Sequence, residues 1–98
     1  MRIRLAPQAR TDLDAIWLFV ARESGNQSLA TRTIRIINDK FKLFAKFPYI
    51  GKMSDLRPNV QTFPDSNYVI FYSVNPTEIR ILRIIHASRD VQAIFAGE

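Results

Sequence analysis

Arg83, His86 and Arg89 are residues of the types that proton-transfer and phosphate chemistry uses, and they lie within seven positions of one another. Histidine is the side chain that takes up and releases a proton near neutral pH, and a guanidinium beside it can hold a phosphate while the ring acts as acid. The same residues also have a structural reading. The ring can bond a backbone carbonyl at a strand end, and Arg89 with Asp90 can fix the following turn by hydrogen bonds or a salt bridge. Asp12 has no second acid placed to work with it, so it reads as the partner of a nearby arginine rather than as a catalytic carboxylate. Lys46, Lys52 and Arg57 flank a loop where they could contact phosphates, although a solvated charged rim accounts for them equally simply. The chain has no cysteine and a single histidine. Disulfides, thiolate metal sites and thiol nucleophiles are therefore excluded, and no metal or other cofactor is expected.

The elements that must position these residues are legible in the apolar pattern. Arg2, Ile3, Arg4 and Leu5 alternate as a half-buried strand does. Pro7 suits the first turn of a helix, in which Ala9, Leu13, Ile16, Trp17 and Val20 recur at helical spacing until Gly25 stops it. Asn26 can cap a second helix. Its stripe is Ala30, Ile34, Ile37, Phe41 and Phe44, widened by Ile36, Leu43 and Phe47, and Pro48 ends it. So short a link makes the two helices antiparallel neighbours. Trp17, Phe41 and Phe44 read as packing residues.

From Tyr49 to Asn59 the turn formers Gly51, Pro58 and Asn59 indicate a loop. The β-branched and aromatic runs Val60 to Phe63, Tyr68 to Val74 and Ile79 to Ile85 then read as strands, joined at Pro64-Asp65-Ser66 and Asn75-Pro76-Thr77 as an antiparallel meander. The last strand is apolar on both faces apart from Arg80, Arg83 and His86, which places it in the sheet interior. Asp90 can cap a final short helix or turn through Val91, Ile94 and Phe95. The expected fold class is α+β in two layers, an antiparallel helical hairpin on one face of an antiparallel β-sheet with an N-terminal strand.

At 98 residues the chain is expected to form one domain, residues 1–98, around one core. Apolar residues make up 47% and charged residues 23%, a globular composition, and no run approaches the length of a membrane span. With no signal-peptide core at the start, a cytoplasmic location is expected and no membrane partner. Fourteen Lys and Arg against nine acids give a net charge of +5, which favours an acidic partner, either nucleic acid or an acidic protein segment.

Several segments together resemble a family. Ala9, Asp12-Leu13 and Ile16-Trp17 match the pattern A-x-x-D-L-x-x-I-W. Phe47-Pro48-Tyr49-Ile50-Gly51-Lys52 and Leu56-Arg57-Pro58 are similar to F-P-x-x-G-[RK] and L-R-P. Asn67 to Tyr72, Ile81 to His86 and Ala87-Ser88-Arg89-Asp90 complete the likeness, which covers nearly the whole chain. In these segments the sequence resembles the ParE/RelE superfamily of type II toxin-antitoxin toxins, and ParE within it.

The resemblance implies a toxin neutralised by a cognate antitoxin, but the superfamily has two activities on one fold. RelE-like members are ribosome-dependent mRNA endonucleases; ParE-like members poison DNA gyrase without cutting nucleic acid themselves. RelE-like nucleases commonly carry an arginine in a third-strand pattern similar to Y-R-L-V-Y. Aligned with Tyr68-Val69-Ile70-Phe71-Tyr72, that arginine falls on Val69. Many such nucleases also use a tyrosine near the C-terminus, and the only aromatic residue after His86 here is Phe95. Both departures favour a gyrase inhibitor with no catalytic residues of its own, in which Arg57, Arg83, His86 and Arg89 contact the target, with possible indirect contact to gyrase-bound DNA. The alternative is an mRNA interferase using Arg83, His86 and Arg89. A third reading is a relative that has lost toxicity and persists as a binding module. The antitoxin is expected to carry an acidic or amphipathic segment that folds over the toxin's apolar grooves, by sheet-edge pairing or helix docking.

Overall fold

The punctuating residues act where the pattern puts them. In a computed structural model, which describes residues 1–55 and 57–97, the first strand β1 spans Arg2–Leu5 and the helix α1 spans Pro7–Ser24. Pro7 stands at the start of α1, where its missing N–H would have had no intrahelical partner. Gly25 ends the helix with φ of 65°, a left-handed cap that a side chain would oppose. The second helix α2, Gln27–Lys46, follows at once, and the Asn26 side chain accepts a hydrogen bond from the Leu29 N–H. Trp17 donates its indole N–H to the Thr31 hydroxyl across the hairpin at 3.1 Å.

Four strands follow the hairpin: β2 (Lys52–Met53), β3 (Val60–Asp65), β4 (Tyr68–Val74) and β5 (Glu78–His86). The sheet order is β1-β5-β4-β3-β2. β2 to β5 pair antiparallel, while β1 runs parallel to β5, so the sheet is mixed where a wholly antiparallel one was expected. The reason is topological. β4 occupies one side of β5 through a hairpin, while β1 on the other side is separated from β5 in the chain by both helices and three strands, a connection long enough to allow a parallel neighbour.

Three further details depart from the sequence pattern. β2 lies inside the segment expected to be loop, pairing Lys52 with Thr62 and Met53 with Gln61. Pro64 and Asp65 belong to β3 rather than to the turn, which tightens to Ser66 and Asn67, Ser66 having φ of 55°. Pro64 is tolerated because β2 ends opposite Thr62, leaving the proline on an open edge. Ile36 and Phe47, expected to widen the buried stripe of α2, are exposed, and Leu43 is half-buried. Of the Leu56-Arg57-Pro58 segment, Leu56 lies outside the described residues.

The hairpin covers one sheet face, where Ile16, Ile37, Phe41 and Phe44 meet Ile70, Tyr72, Ile79, Ile81 and Ile84. Val60, Phe71, Ile85 and Phe95 form a separate cluster, joined by Val69 and Leu82. Its Phe95 comes from a third helix, α3, Val91–Ala96, which Asp90 caps by accepting from the Ala93 N–H. Phe95 stacks on Phe71 with ring centroids 4.2 Å apart. A register shift opposite Phe71 and Tyr72 leaves Leu82 as an extra residue in β5. This bulge lets Ile81 before it and Ile84 after it serve the same cluster.

Candidate functional site

The site is organised by a carboxylate at the end of a strand. β1 pairs with β5 only as far as Ile81, so beyond it that edge of β5 has no strand to satisfy its amides. Asp12, one turn and a half into α1, takes over: its Oδ2 accepts the Ile84 N–H at 2.9 Å. The same carboxylate accepts Arg83 Nε at 2.8 Å and Arg83 Nη2 at 3.1 Å, a bidentate pair. Both side chains are only 11% exposed. Asp12 is thus a structural partner that fixes α1 to β5 just after the bulge, and its planar match to guanidinium is the reason the residue must be arginine rather than lysine.

Beside this pair lies a cleft of about 380 Å³ between α1 and the C-terminal end of β5, lined by Phe19, Tyr68, Arg83, His86, Ser88 and Arg89 among others. Tyr68 and His86 are directly opposed across β4 and β5, and their rings meet edge to face at 5.3 Å. Burial pushes the Tyr68 phenol above the ordinary tyrosine range, which favours the protonated form, able to donate or accept a hydrogen bond. The His86 Nδ1 accepts the Ser88 N–H at 3.1 Å and lies 2.6 Å from the Ser88 hydroxyl. An accepting Nδ1 carries no proton, which leaves the ring hydrogen of the neutral form on Nε2. The Arg89 N–H donates to the His86 carbonyl, curling the chain so that the exposed Arg89 borders the cleft.

Arg83, His86 and Arg89, separated in sequence, therefore do share one cleft. Arg57 does not: its guanidinium lies 4.6 Å over the ring of Phe95, against the other cluster. Val69 also belongs to that cluster, because it alternates with Tyr68 and Ile70 along β4. His86 bonds to Ser88 and not to a backbone carbonyl, and Asp90 caps α3. Phe19 and Tyr68 were not singled out as site residues by the sequence. Phe19 is 56% exposed at the cleft despite its size, which marks it as available for contact. Among the described residues no three of His, Cys, Asp or Glu converge to hold a metal ion, and no helix is long and apolar enough to cross a membrane.

This geometry offers hydrogen-bond donors and the exposed Arg89 around a mostly apolar cleft. Two nitrogens of the Arg83 guanidinium face Asp12 instead of an incoming phosphate.

Comparison with known proteins agrees with the fold. Residues 3–91 match the family model described as the ParE toxin of the type II toxin-antitoxin system, parDE. The chain is 30% identical to Toxin ParE3 of Caulobacter vibrioides over 83 residues, covering 84% of this chain and 82% of that protein. It is 28% identical to Toxin ParE1 of the same organism over 91 residues, covering 92% and 93%. A solved structure, the chromosomal ParDE TA system from P. aeruginosa, superposes with a TM-score of 0.76 at 26% identity, covering 88% of this chain and 95% of that one. The chain belongs to the ParE toxin family of type II toxin-antitoxin systems.

Proposed function

We propose that this protein acts in the cytoplasm as a single-domain toxin that inhibits DNA gyrase, and so replication, by binding to it, and that a cognate antitoxin neutralises it. Besides family membership, the observation that carries this reading is Val69. Where an RNA-cutting relative would carry a phosphate-binding arginine, this chain has an aliphatic side chain packed with Phe71, Ile85 and Phe95. Without that cation the negative charge that accumulates on a cleaved phosphate has one stabiliser fewer. Arg83 is held by Asp12, which supports a positional role for it as well.

In this reading Arg89, His86 and Phe19 meet the target from the cleft, and Arg57 adds positive charge from the other side of the sheet. The basic surface stabilises a gyrase-DNA intermediate through the DNA that gyrase holds. The antitoxin's amphipathic segment docks on the helical hairpin, where Leu18, Leu29 and Ile36 stand exposed.

One observation favours the nuclease alternative: Arg83, His86 and Arg89 share a cleft with the Tyr68 phenol. Induction of the protein in cells separates the two. Gyrase inhibition predicts induction of the DNA-damage response and filamentation while protein synthesis continues. An immediate stop of translation without that response would point to mRNA cleavage and overturn the proposal.

A further inference from the structure

The turn that follows α2 exposes apolar side chains the fold does not use. Phe47, Tyr49, Ile50 and Met53 are 52%, 71%, 44% and 66% exposed, although they fall within seven consecutive positions. The backbone beneath them is held firmly. The Ile50 N–H donates to the Phe47 carbonyl at 3.1 Å, closing a β-turn with Pro48 and Tyr49 at its corners. Tyr72 secures the turn from below. Its ring is fully buried and stacked 4.1 Å from Phe44, while its hydroxyl donates to the Pro48 carbonyl at 2.9 Å and accepts the Gly51 N–H at 3.0 Å.

Gly51 shows how close that approach is. A Cβ there would stand 2.8 Å from both the Thr62 carbonyl and the Tyr72 hydroxyl. A core tyrosine and an obligatory glycine thus hold rigid a turn whose outward side chains touch little, and a preorganised surface loses little entropy on binding. Aromatic and methionine side chains are the types enriched at the centres of protein interfaces. The rim is basic: from Lys40 to Arg57 there are five Lys or Arg and one acid, Asp55, with the Lys46 ammonium 5.9 Å over the Phe47 ring.

We infer that the Phe47–Met53 turn is a docking tip that inserts into an apolar, acidic-rimmed pocket of the toxin's target protein. Nucleic acid fits the charge and could stack on Phe47 and Tyr49, but it would leave Ile50 and Met53 uncovered, whereas a protein pocket covers all four. The inference names gyrase as that protein only because it rests on the reading above. It is independent of the Arg83–His86–Arg89 cleft.

The test is binding of purified bacterial gyrase holoenzyme, with and without plasmid DNA, to the full chain and to the variant carrying Tyr49→Ser and Met53→Ser. Both positions are exposed, so the thermal midpoint of the variant is expected to stay that of the wild type, which verifies folding. The expected result is a loss of affinity on the order of thirtyfold for gyrase in both arms. Lys46→Glu with Lys52→Glu is expected to slow association and to flatten its salt dependence. Wild-type binding with an unchanged double serine variant would overturn the docking tip alone. A loss confined to the DNA-containing arm would assign the tip to nucleic acid instead. Failure of the wild type itself to bind gyrase would overturn the gyrase reading, and the identity of the partner with it.

Discussion

Asp12 and Arg83 show how much of this site is architecture. A buried bidentate pair contributes little net stability by itself, but removal of Asp12 takes the carboxylate away from both the buried Arg83 guanidinium and the Ile84 N–H. Asp12→Ala is therefore expected to lower stability by about 3–5 kcal/mol, a large share of the roughly 5–15 kcal/mol typical of small domains. Urea unfolding measures it. The double variant Asp12→Ala with Arg83→Met is expected to recover part of that loss, because the guanidinium that needed the carboxylate is gone while the Ile84 N–H still lacks its acceptor; equal destabilisation of both would show that the pair itself was not the cause. The sequence showed Asp12 as the partner of some arginine, yet it could not name Arg83. The two are 71 positions apart and meet only because β1 stops short of Ile84.

Tyr68 and Tyr72 carry a pH dependence of defined sign. Burial raises both above 10.0, and for Tyr72 the Gly51 N–H offsets part of that rise. The folded chain keeps protons that the unfolded chain releases, so their contribution to stability is whole below pH 10 and is lost as pH rises through the raised values. In a Tyr49→Phe background, absorbance at pH 10 should show less than half of the full phenolate signal, and the remainder should appear with unfolding. Half-ionisation of the folded protein at that pH would contradict the burial argument.

At the scale of elements, boundaries were more legible than partners. Pro7, Gly25, Asn26 and Pro48 act through local backbone chemistry, so the helices end where those residues stand. The parallel pairing of β1, the short β2 and the bulge at Leu82 depend on which edges remain open after the meander forms, and no local pattern encodes that. The cleft inherits this division. His86 and Arg89 were visible as chemistry at the end of a strand, whereas Tyr68 joined them through cross-strand register and Phe19 through its position on α1.

Two elements invite direct perturbation. Gly51→Ala forces a Cβ against the Thr62 backbone carbonyl, and a strand carbonyl cannot yield as a flexible side chain would. A cost of about 1–3 kcal/mol is expected, read from denaturant midpoints. Phe95→Ala removes the ring between Phe71 and the Arg57 guanidinium. About 3–5 kcal/mol should be lost, with amide exchange in α3 accelerating far more than in α1. Uniform acceleration would mean that α3 is not held separately by that ring.

The whole molecule is a basic body of net charge +5. The proposed association with gyrase should slow as salt shortens the Debye length from about 10 Å at 0.1 M to about 3 Å at 1 M. Family membership, a packed valine on the nuclease strand and an arginine committed to Asp12 all favour action by binding over cleavage. The most direct test presents the purified chain with gyrase and supercoiled plasmid in one reaction, and with ribosomes translating a defined mRNA in another. Cleaved plasmid DNA accumulating on gyrase beside intact mRNA is the predicted result; cut mRNA with gyrase unaffected would contradict it.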